Sequence, residues 1–79
     1  MERTEILSKL RDIFRDVLDN EEITLAETTS ANDIEEWDSL ANVQLIVEVE
    51  SEFGIRFTST EITSWKNIGD WISCIDSKI

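Results

Sequence analysis

Several residue types are missing or scarce in this sequence of 79 residues. Histidine and proline are absent, glycine occurs twice, and Cys74 is the one cysteine. A single cysteine cannot form an internal disulfide, and the lack of histidine argues against structural zinc and against a histidine-activated nucleophile. Two glycines cannot build a glycine-rich loop around a phosphate. We therefore expect no metal site and no enzymatic activity from this chain alone.

Basic residues are also scarce, and they are unevenly placed. The formal net charge is −11, and no Lys or Arg occurs between Arg15 and Arg56, a stretch that contains twelve Asp and Glu residues. Nucleic acid and anionic membranes are therefore excluded as direct partners, and a basic protein surface is favoured. The alternative is that the acidic residues serve only solubility.

Long apolar runs are absent as well. The longest is far shorter than a membrane span, and residues 1–5 lack the features of a signal peptide. The sequence thus predicts a cytoplasmic protein, and its length suits one domain over residues 1–79.

Apolar residues recur at helical spacing from Thr4 to about Leu18, which predicts an amphipathic first helix. A long polar connection follows, over residues 19–37. Connections of this length are usually fixed by a few buried side chains. We expect Leu25 and Ile34 to be the buried side chains that fix this connection, and we expect a short helical turn near residues 32–35.

Capping residues predict three further helices. Asp38 is a suitable N-cap for a second helix that ends at Gly54. A capping box of Thr58 and Glu61 predicts a short third helix over about residues 59–64. Asn67 then begins a last helix, whose apolar face consists of Ile68, Trp71, Ile72 and Ile75. The predicted fold is an all-α bundle of three longer helices and one short helix.

The second helix has more apolar surface than a core needs. Leu45, Ile46, Val49 and Phe53 form one apolar arc, and Leu40, Val43 and Val47 form a second. Together the arcs span roughly 220°, where about 100° is enough to face a core. The second arc begins beside Ser39, at the positive end of the helix dipole.

Asp38-Ser39-Leu40 opens this acidic helix, Val43, Leu45 and Ile46 follow, and Glu52-Phe53-Gly54-Ile55 closes it. This pattern resembles the acyl carrier proteins, and the resemblance covers nearly the whole chain. It implies a stand-alone carrier in which Ser39 would hold 4′-phosphopantetheine through a phosphodiester, with Asp38 and Leu40 completing the attachment motif. The group would be added from coenzyme A by a phosphopantetheinyl transferase. Its terminal thiol would carry an acyl group as a thioester.

The resemblance also implies two further sets of site residues. The partner surface would consist of Leu40, Val43, Gln44, Val47, Glu48, Glu50 and Glu52. The candidates for an acyl pocket would be Ile46, Val49, Ile62 and Trp65. The expected partners are the transferase and acyl-activating, acyltransferase or synthase enzymes with basic docking patches, which would meet a monomer.

Some positions depart from the pattern of the fatty-acid carriers. Ala41 and Gln44 replace acidic residues, and Trp37 stands where a small residue is common. These departures favour a carrier dedicated to one pathway, for a polyketide, a specialised lipid or an unusual acyl group. An aminoacyl or peptidyl carrier is the alternative within the class. From another class, the alternative is an acidic helical docking module without a prosthetic group.

Overall fold

Helices and their connections make up the computed structural model, which covers residues 1–79 and has no strand. The helices are α1 (Arg3–Val17), α2 (Ser39–Phe53), α3 (Ser59–Ser64) and α4 (Ile68–Lys78), and a 3₁₀ turn spans Ala31–Asp33. The predicted all-α bundle of three longer helices and one short helix is confirmed. None of these helices combines the length and the apolar character that crossing a lipid bilayer would require.

The core lies where α1, α2 and α4 meet. Its fully enclosed side chains come from all three helices: Ile6, Leu10, Phe14, Leu45, Val49, Ile68, Ile72 and Ile75. Each large apolar side chain buried in this way contributes about 1.5–3 kcal/mol relative to exposure. Because these residues recur at three- and four-residue spacing, their burial fixes which face of each helix points outward.

The buried residues of the long connection are Ile23, Ile34 and Trp37, whereas Leu25, predicted as a buried anchor, packs against the core only in part. Ile23 is 6% exposed, whereas Leu25 is only half-buried against the core. The chain turns back directly after α1, because Arg15 Nε donates a hydrogen bond to Ile23 O at 2.7 Å. This turn brings Ile23 to the core first. The short turn begins at Ala31, one residue earlier than predicted, and Asp33 Oδ2 accepts from Ser30 N at 2.9 Å.

The same connection is bound to the first turn of α4. The N–H of Ile68 donates to Thr29 O and that of Gly69 donates to Glu27 O, both at 2.8 Å. A Cβ at position 69 would lie 3.1 Å from Glu27 O, which explains a glycine inside a helix. Arg3 ties α1 to the same point, since its guanidinium contacts the Glu27 carboxylate at 2.6 Å.

The caps lie where the sequence placed them. Asp38 Oδ1 accepts from Ala41 N at 2.8 Å, and Gly54 ends α2 in the left-handed region at φ 65°. Thr58 and Glu61 exchange side-chain and backbone hydrogen bonds of 2.8 and 3.1 Å at the start of α3. Asn67 Oδ1 accepts from Asp70 N at the start of α4. These bonds satisfy N–H groups that a helix leaves unpaired, and they place Ser39 in the first turn of α2.

Candidate functional site

Ser39 is the first residue of α2, and it is exposed. The Asp38 carboxylate takes the N–H of Ala41, and Asp38 O takes that of Asn42. The N–H groups of Ser39 and Leu40 have no partner in the protein. The Ser39 hydroxyl therefore lies beside two free donors at the positive end of the helix dipole, a position that suits an anion.

Trp37 anchors the chain just before this serine. Its indole is 9% exposed and packs edge-on against Phe14, with ring centroids 4.9 Å apart. Its Nε1–H donates to Asn42 Oδ1 at 2.9 Å, which ties the segment before α2 to the first turn of the helix. Ser39 is thus held between a buried ring and a capped helix start, and its backbone position is well defined.

An open cleft of about 290 Å³ lies beside Ser39, between the start of α2, the end of α3 and the start of α4. The lining residues are Ala31, Trp37, Asp38, Ser39, Asn42, Ile62, Trp65, Lys66, Asn67 and Trp71. Two of the four acyl-pocket candidates, Ile62 and Trp65, belong to this lining. Ile46 and Val49 do not. Val49 is fully enclosed in the core, and Ile46 packs half-buried against it, so these two candidates lie away from this cleft.

Aromatic rings form one wall of the cleft. Trp65 lies tilted against Trp71 with centroids 4.7 Å apart, and Phe57 meets Trp65 edge-on at 4.8 Å. Trp71 in turn contacts Trp37 edge-on at 5.9 Å. Edge-to-face and offset pairs of this kind add about 0.5–1.5 kcal/mol each beyond the area they bury. The wall is therefore a packed element of the fold.

Sequence reasoning missed several lining residues, above all Asn42, Lys66, Asn67 and Trp71. Asn42 could have been found, because it lies one helical turn after Asp38 and Ser39 and shares their face. Lys66 and Asn67 could not, because nothing in the local pattern shows that the connection between α3 and α4 folds toward Ser39.

The second apolar arc of α2 lies in solvent. Leu40 is 71% exposed, Val43 59% and Val47 55%, whereas Leu45 and Val49 on the first arc are fully enclosed. An apolar groove of about 290 Å³ runs along this arc toward α1, and its lining is Val17, Val43, Gln44, Val47 and Glu48. Exposed apolar residues grouped in this way are typical of a surface that meets another protein.

Two of the acidic residues assigned to the partner surface are engaged elsewhere. Glu50 is half-buried, and its carboxylate accepts from Phe57 N at 2.8 Å. The Glu52 carboxylate lies 3.4 Å from Lys9 Nζ on α1. Glu48, by contrast, is exposed and makes no ion pair. Glu48 is therefore the free acidic residue beside the arc, while Glu50 and Glu52 hold α2 to its neighbours.

Cys74 does not line the cleft. Its Sγ lies 3.5 Å from Glu61 Oε2, and burial together with the nearby carboxylate raises the pKa of the thiol. A raised pKa keeps the sulfur protonated and weakly nucleophilic. We therefore assign Cys74 to packing rather than to a chemical role. No group of three or more His, Cys, Asp or Glu side chains in the structure converges so as to hold a metal ion.

Comparison with known proteins agrees with this geometry. Residues 8–75 match the family described as phosphopantetheine attachment site. The acyl carrier protein of Thermotoga maritima is 32% identical over 77 residues, which covers 98% of this chain and 95% of that protein. The acyl carrier protein of Coprothermobacter proteolyticus is 35% identical over 81 residues, which covers 100% of this chain and 96% of that protein.

A solved structure is similar as well. The solution NMR structure of holo acyl carrier protein from Geobacter metallireducens superposes with a TM-score of 0.86 and is 44% identical in sequence, covering 91% of this chain and 83% of that one. The matches span most of the chain and include the helix that begins at Ser39. The chain therefore belongs to the acyl carrier protein family, whose members are carriers with covalently attached 4′-phosphopantetheine and are not enzymes.

Proposed function

We propose that Ser39 is the attachment site of the 4′-phosphopantetheine group. The observation that carries this proposal is the exposed hydroxyl of Ser39 in the first turn of α2, beside two unpaired N–H groups and at the edge of a cleft. No other serine of the chain combines these features. Ser59 also begins a helix, but that helix has only six residues.

The residues around Ser39 fit a phosphodiester. The free N–H groups of Ser39 and Leu40 point out of the helix start, and an anion placed there gains about 0.3–1 kcal/mol from the helix dipole when exposed. Asp38 fixes that start by capping α2, and Trp37 fixes the chain before it. When bound, the group supplies a thiol that holds an acyl chain as a thioester. The protein supplies a rigid point of attachment and a cleft beside it.

We propose further that the cleft beside Ser39 receives the arm and the first part of its cargo. Its wall of indole rings and Ile62 offers apolar contact, and Asn42 and Asn67 offer hydrogen bonds. This mixture supports a carrier dedicated to one biosynthetic pathway, such as that of a polyketide or a specialised lipid. An aminoacyl or peptidyl cargo is the second candidate, because the amide side chains suit a polar acyl group.

The exposed arc of α2 is the proposed docking surface for partner enzymes. It consists of Leu40, Val43 and Val47, with Gln44 and Glu48 beside them. The apolar centre would supply affinity, and the acidic surroundings would steer basic patches of the transferase and of acyl-handling enzymes. Glu50 and Glu52 are left out because their carboxylates are already bound. We also propose that the protein acts as a monomer in the cytoplasm, which its charge of −11 and single unpaired cysteine support.

Intact mass after incubation with coenzyme A and a broad-specificity phosphopantetheinyl transferase tests the attachment site. We expect one added arm on the wild type and on Ser59→Ala, and none on Ser39→Ala. Ser59→Ala is a matched control because Ser59 also opens a helix and is exposed. A wild type that gains no mass would favour the unmodified docking module. An arm on Ser39→Ala would place the site elsewhere.

A further inference from the structure

Lys66 is the only basic residue among those that line the cleft beside Ser39. It lies between Trp65, where α3 ends, and Asn67, where α4 begins. It is exposed and forms no ion pair. A lysine without a partner, facing the same cleft as the attachment serine, is available to an anion bound there.

Most of the other basic residues are already engaged. Arg3, Lys9, Arg11 and Lys78 contact carboxylates, and the guanidinium of Arg15 donates to Ile23 O. Arg56 forms neither an ion pair nor a side-chain hydrogen bond, but it does not line the cleft. Lys66 is thus the one basic residue that both lines the cleft and lacks a side-chain partner.

The backbone around Lys66 is fixed on both sides. Its N–H donates to Asp70 Oδ2 at 2.7 Å, and the preceding ring of Trp65 packs between Phe57 and Trp71. The flexible side chain therefore extends from a fixed point at the cleft. The rotatable bonds of this side chain allow its ammonium to move toward a ligand, while the backbone stays in place.

Charge near Ser39 favours such a contact. Glu35, Glu36 and Asp38 precede the serine, and no Lys or Arg occurs between Arg15 and Arg56. A phosphodiester on Ser39 would add a negative charge to this acidic segment. Within the cleft, Lys66 is the one cation that could offset it, together with the free N–H groups of Ser39 and Leu40.

We propose that Lys66 is a positioning residue for the prosthetic arm. Its ammonium pairs with a phosphodiester oxygen on Ser39 and holds the first part of the arm over the wall formed by Trp37, Trp65 and Trp71. The arm is then directed into the cleft between α2 and α4. This inference rests on the proposed attachment at Ser39, and it adds a residue from another element that sets the direction of the arm.

NMR of the holo protein tests this role without any partner reaction. Phosphorus-31 spectra report the environment and mobility of the phosphodiester, and carbon-13 spectra resolve the Cε groups of Lys9, Lys66 and Lys78. We expect the Lys66 signal alone to shift between the apo and holo forms. In Lys66→Ala the phosphorus signal should shift and sharpen as the population of the docked arm falls by roughly 1.5- to 5-fold, the range for exposed ion pairs.

Two variants separate charge from structure. Lys66→Arg keeps the charge and should restore the wild-type phosphorus signal, whereas Arg56→Ala removes an unpaired cation outside the cleft and should leave it unchanged. Sodium chloride at 1 M should reduce the difference between wild type and Lys66→Ala, because the Debye length falls to about 3 Å. Circular dichroism should confirm that all variants are folded.

The outcomes are distinguishable. An arm attached to Ser39 with the same phosphorus signal in wild type and Lys66→Ala would overturn the role of Lys66 and leave the proposed function standing. An equal change in Arg56→Ala would also overturn it, since a general charge effect would then suffice. Failure of the wild type to gain an arm at Ser39 would overturn both.

Discussion

Two valines on α2 separate the exposed surface from the core within a single helical turn. Val47 is 55% exposed on the second apolar arc, and Val49 is fully enclosed between the helices. Both positions carry the same side chain in the same helix, so helix propensity and hydrophobicity are matched. The same substitution at each position therefore measures the environment alone.

We expect Val47→Arg to leave the free energy of unfolding within about 0.5–1 kcal/mol of wild type, as is usual at an exposed site. It should slow loading by the transferase, since a positive charge at the docking surface would repel a basic patch. Val49→Arg should instead prevent folding, because an unpaired charge would enter the core. Urea denaturation and the rate of loading measure the two effects.

Leu45→Arg is a second core control, since Leu45 is also fully enclosed. Unfolding by Val47→Arg to the extent seen with either core variant would show that both arcs are needed for packing. Wild-type loading of a folded Val47→Arg would remove this face of α2 from the docking surface.

Single residues also show where sequence reasoning reaches its limit. Helical periodicity assigned Val47 and Val49 to different faces, because the angle between positions follows from the helix alone. It could not show that Glu50 bonds to Phe57 N, since that contact depends on the turn after Gly54. Periodicity likewise could not show that Trp37 is buried, because its burial depends on packing against Phe14 in α1 and Trp71 in α4.

At the scale of elements, α3 is a short helix that depends on its polar ends. Glu61 accepts a hydrogen bond from the N–H of Thr58, and its carboxylate lies 3.1 Å from Lys78 Nζ on α4. These contacts favour the ionised form, and they lower the pKa of Glu61 from 4.5 to about 2. A six-residue helix has little stability of its own, so the link to α4 matters to its position.

We expect the stability contributed by the Glu61 carboxylate to be fully present above pH 4.5 and to be lost as the pH falls toward 2. In the unfolded chain Glu61 takes up a proton near pH 4.5, whereas in the folded chain it stays ionised until the pH falls to about 2. Glu61→Gln retains the capping geometry but loses the charge. Its melting temperature should lie below that of wild type at pH 7, and the difference should shrink between pH 4.5 and 2.

Glu52→Gln is a suitable control for this comparison. It also removes a carboxylate near a lysine, but Glu52 caps no helix start, and its contact with Lys9 is longer, at 3.4 Å. A constant difference between wild type and Glu61→Gln across the whole range would contradict the assigned cause, because the lost stability would then not depend on ionisation.

The elements themselves were largely predictable. Asp38, Gly54, Thr58, Glu61 and Asn67 mark helix ends through local hydrogen bonds or backbone conformation, and these signals lie within a few residues of each other. The long connection was less predictable. Ile23 is more fully buried than Leu25, and its carbonyl is bound by Arg15, a contact across eight residues. Gly69 likewise has its reason in Glu27 O, far away in the sequence.

At the scale of the whole molecule, the dominant feature is uncompensated negative charge. The net charge of −11 resides on a protein with principal extents of only 28 × 25 × 22 Å. At 10 mM salt the Debye length is about 30 Å, so the carboxylates lie within about one Debye length of one another and their repulsion is little screened. Self-repulsion of this kind opposes the compact state.

We expect the melting temperature to rise with sodium chloride from 10 to 300 mM. Each kcal/mol of relieved repulsion should raise it by about 4–8 °C in a domain of this size. Replacing Glu21 and Glu22 by Gln changes the net charge from −11 to −9, and the salt dependence of that variant should be weaker. A melting temperature that does not respond to salt in the wild type would show that self-repulsion is insignificant.

The three tryptophans of the chain all belong to one cluster, Trp37, Trp65 and Trp71, and tyrosine is absent. Light near 295 nm is therefore absorbed only by the indole rings at the wall of the cleft beside Ser39. Ring centroids 4.7–5.9 Å apart also couple the indoles, so the emission belongs to the cluster more than to any one ring. The surface formed by Leu40, Val43 and Val47 contributes no chromophore. Intrinsic fluorescence is thus a built-in optical probe of this cleft and of the arm proposed to enter it, with no background from the proposed docking surface.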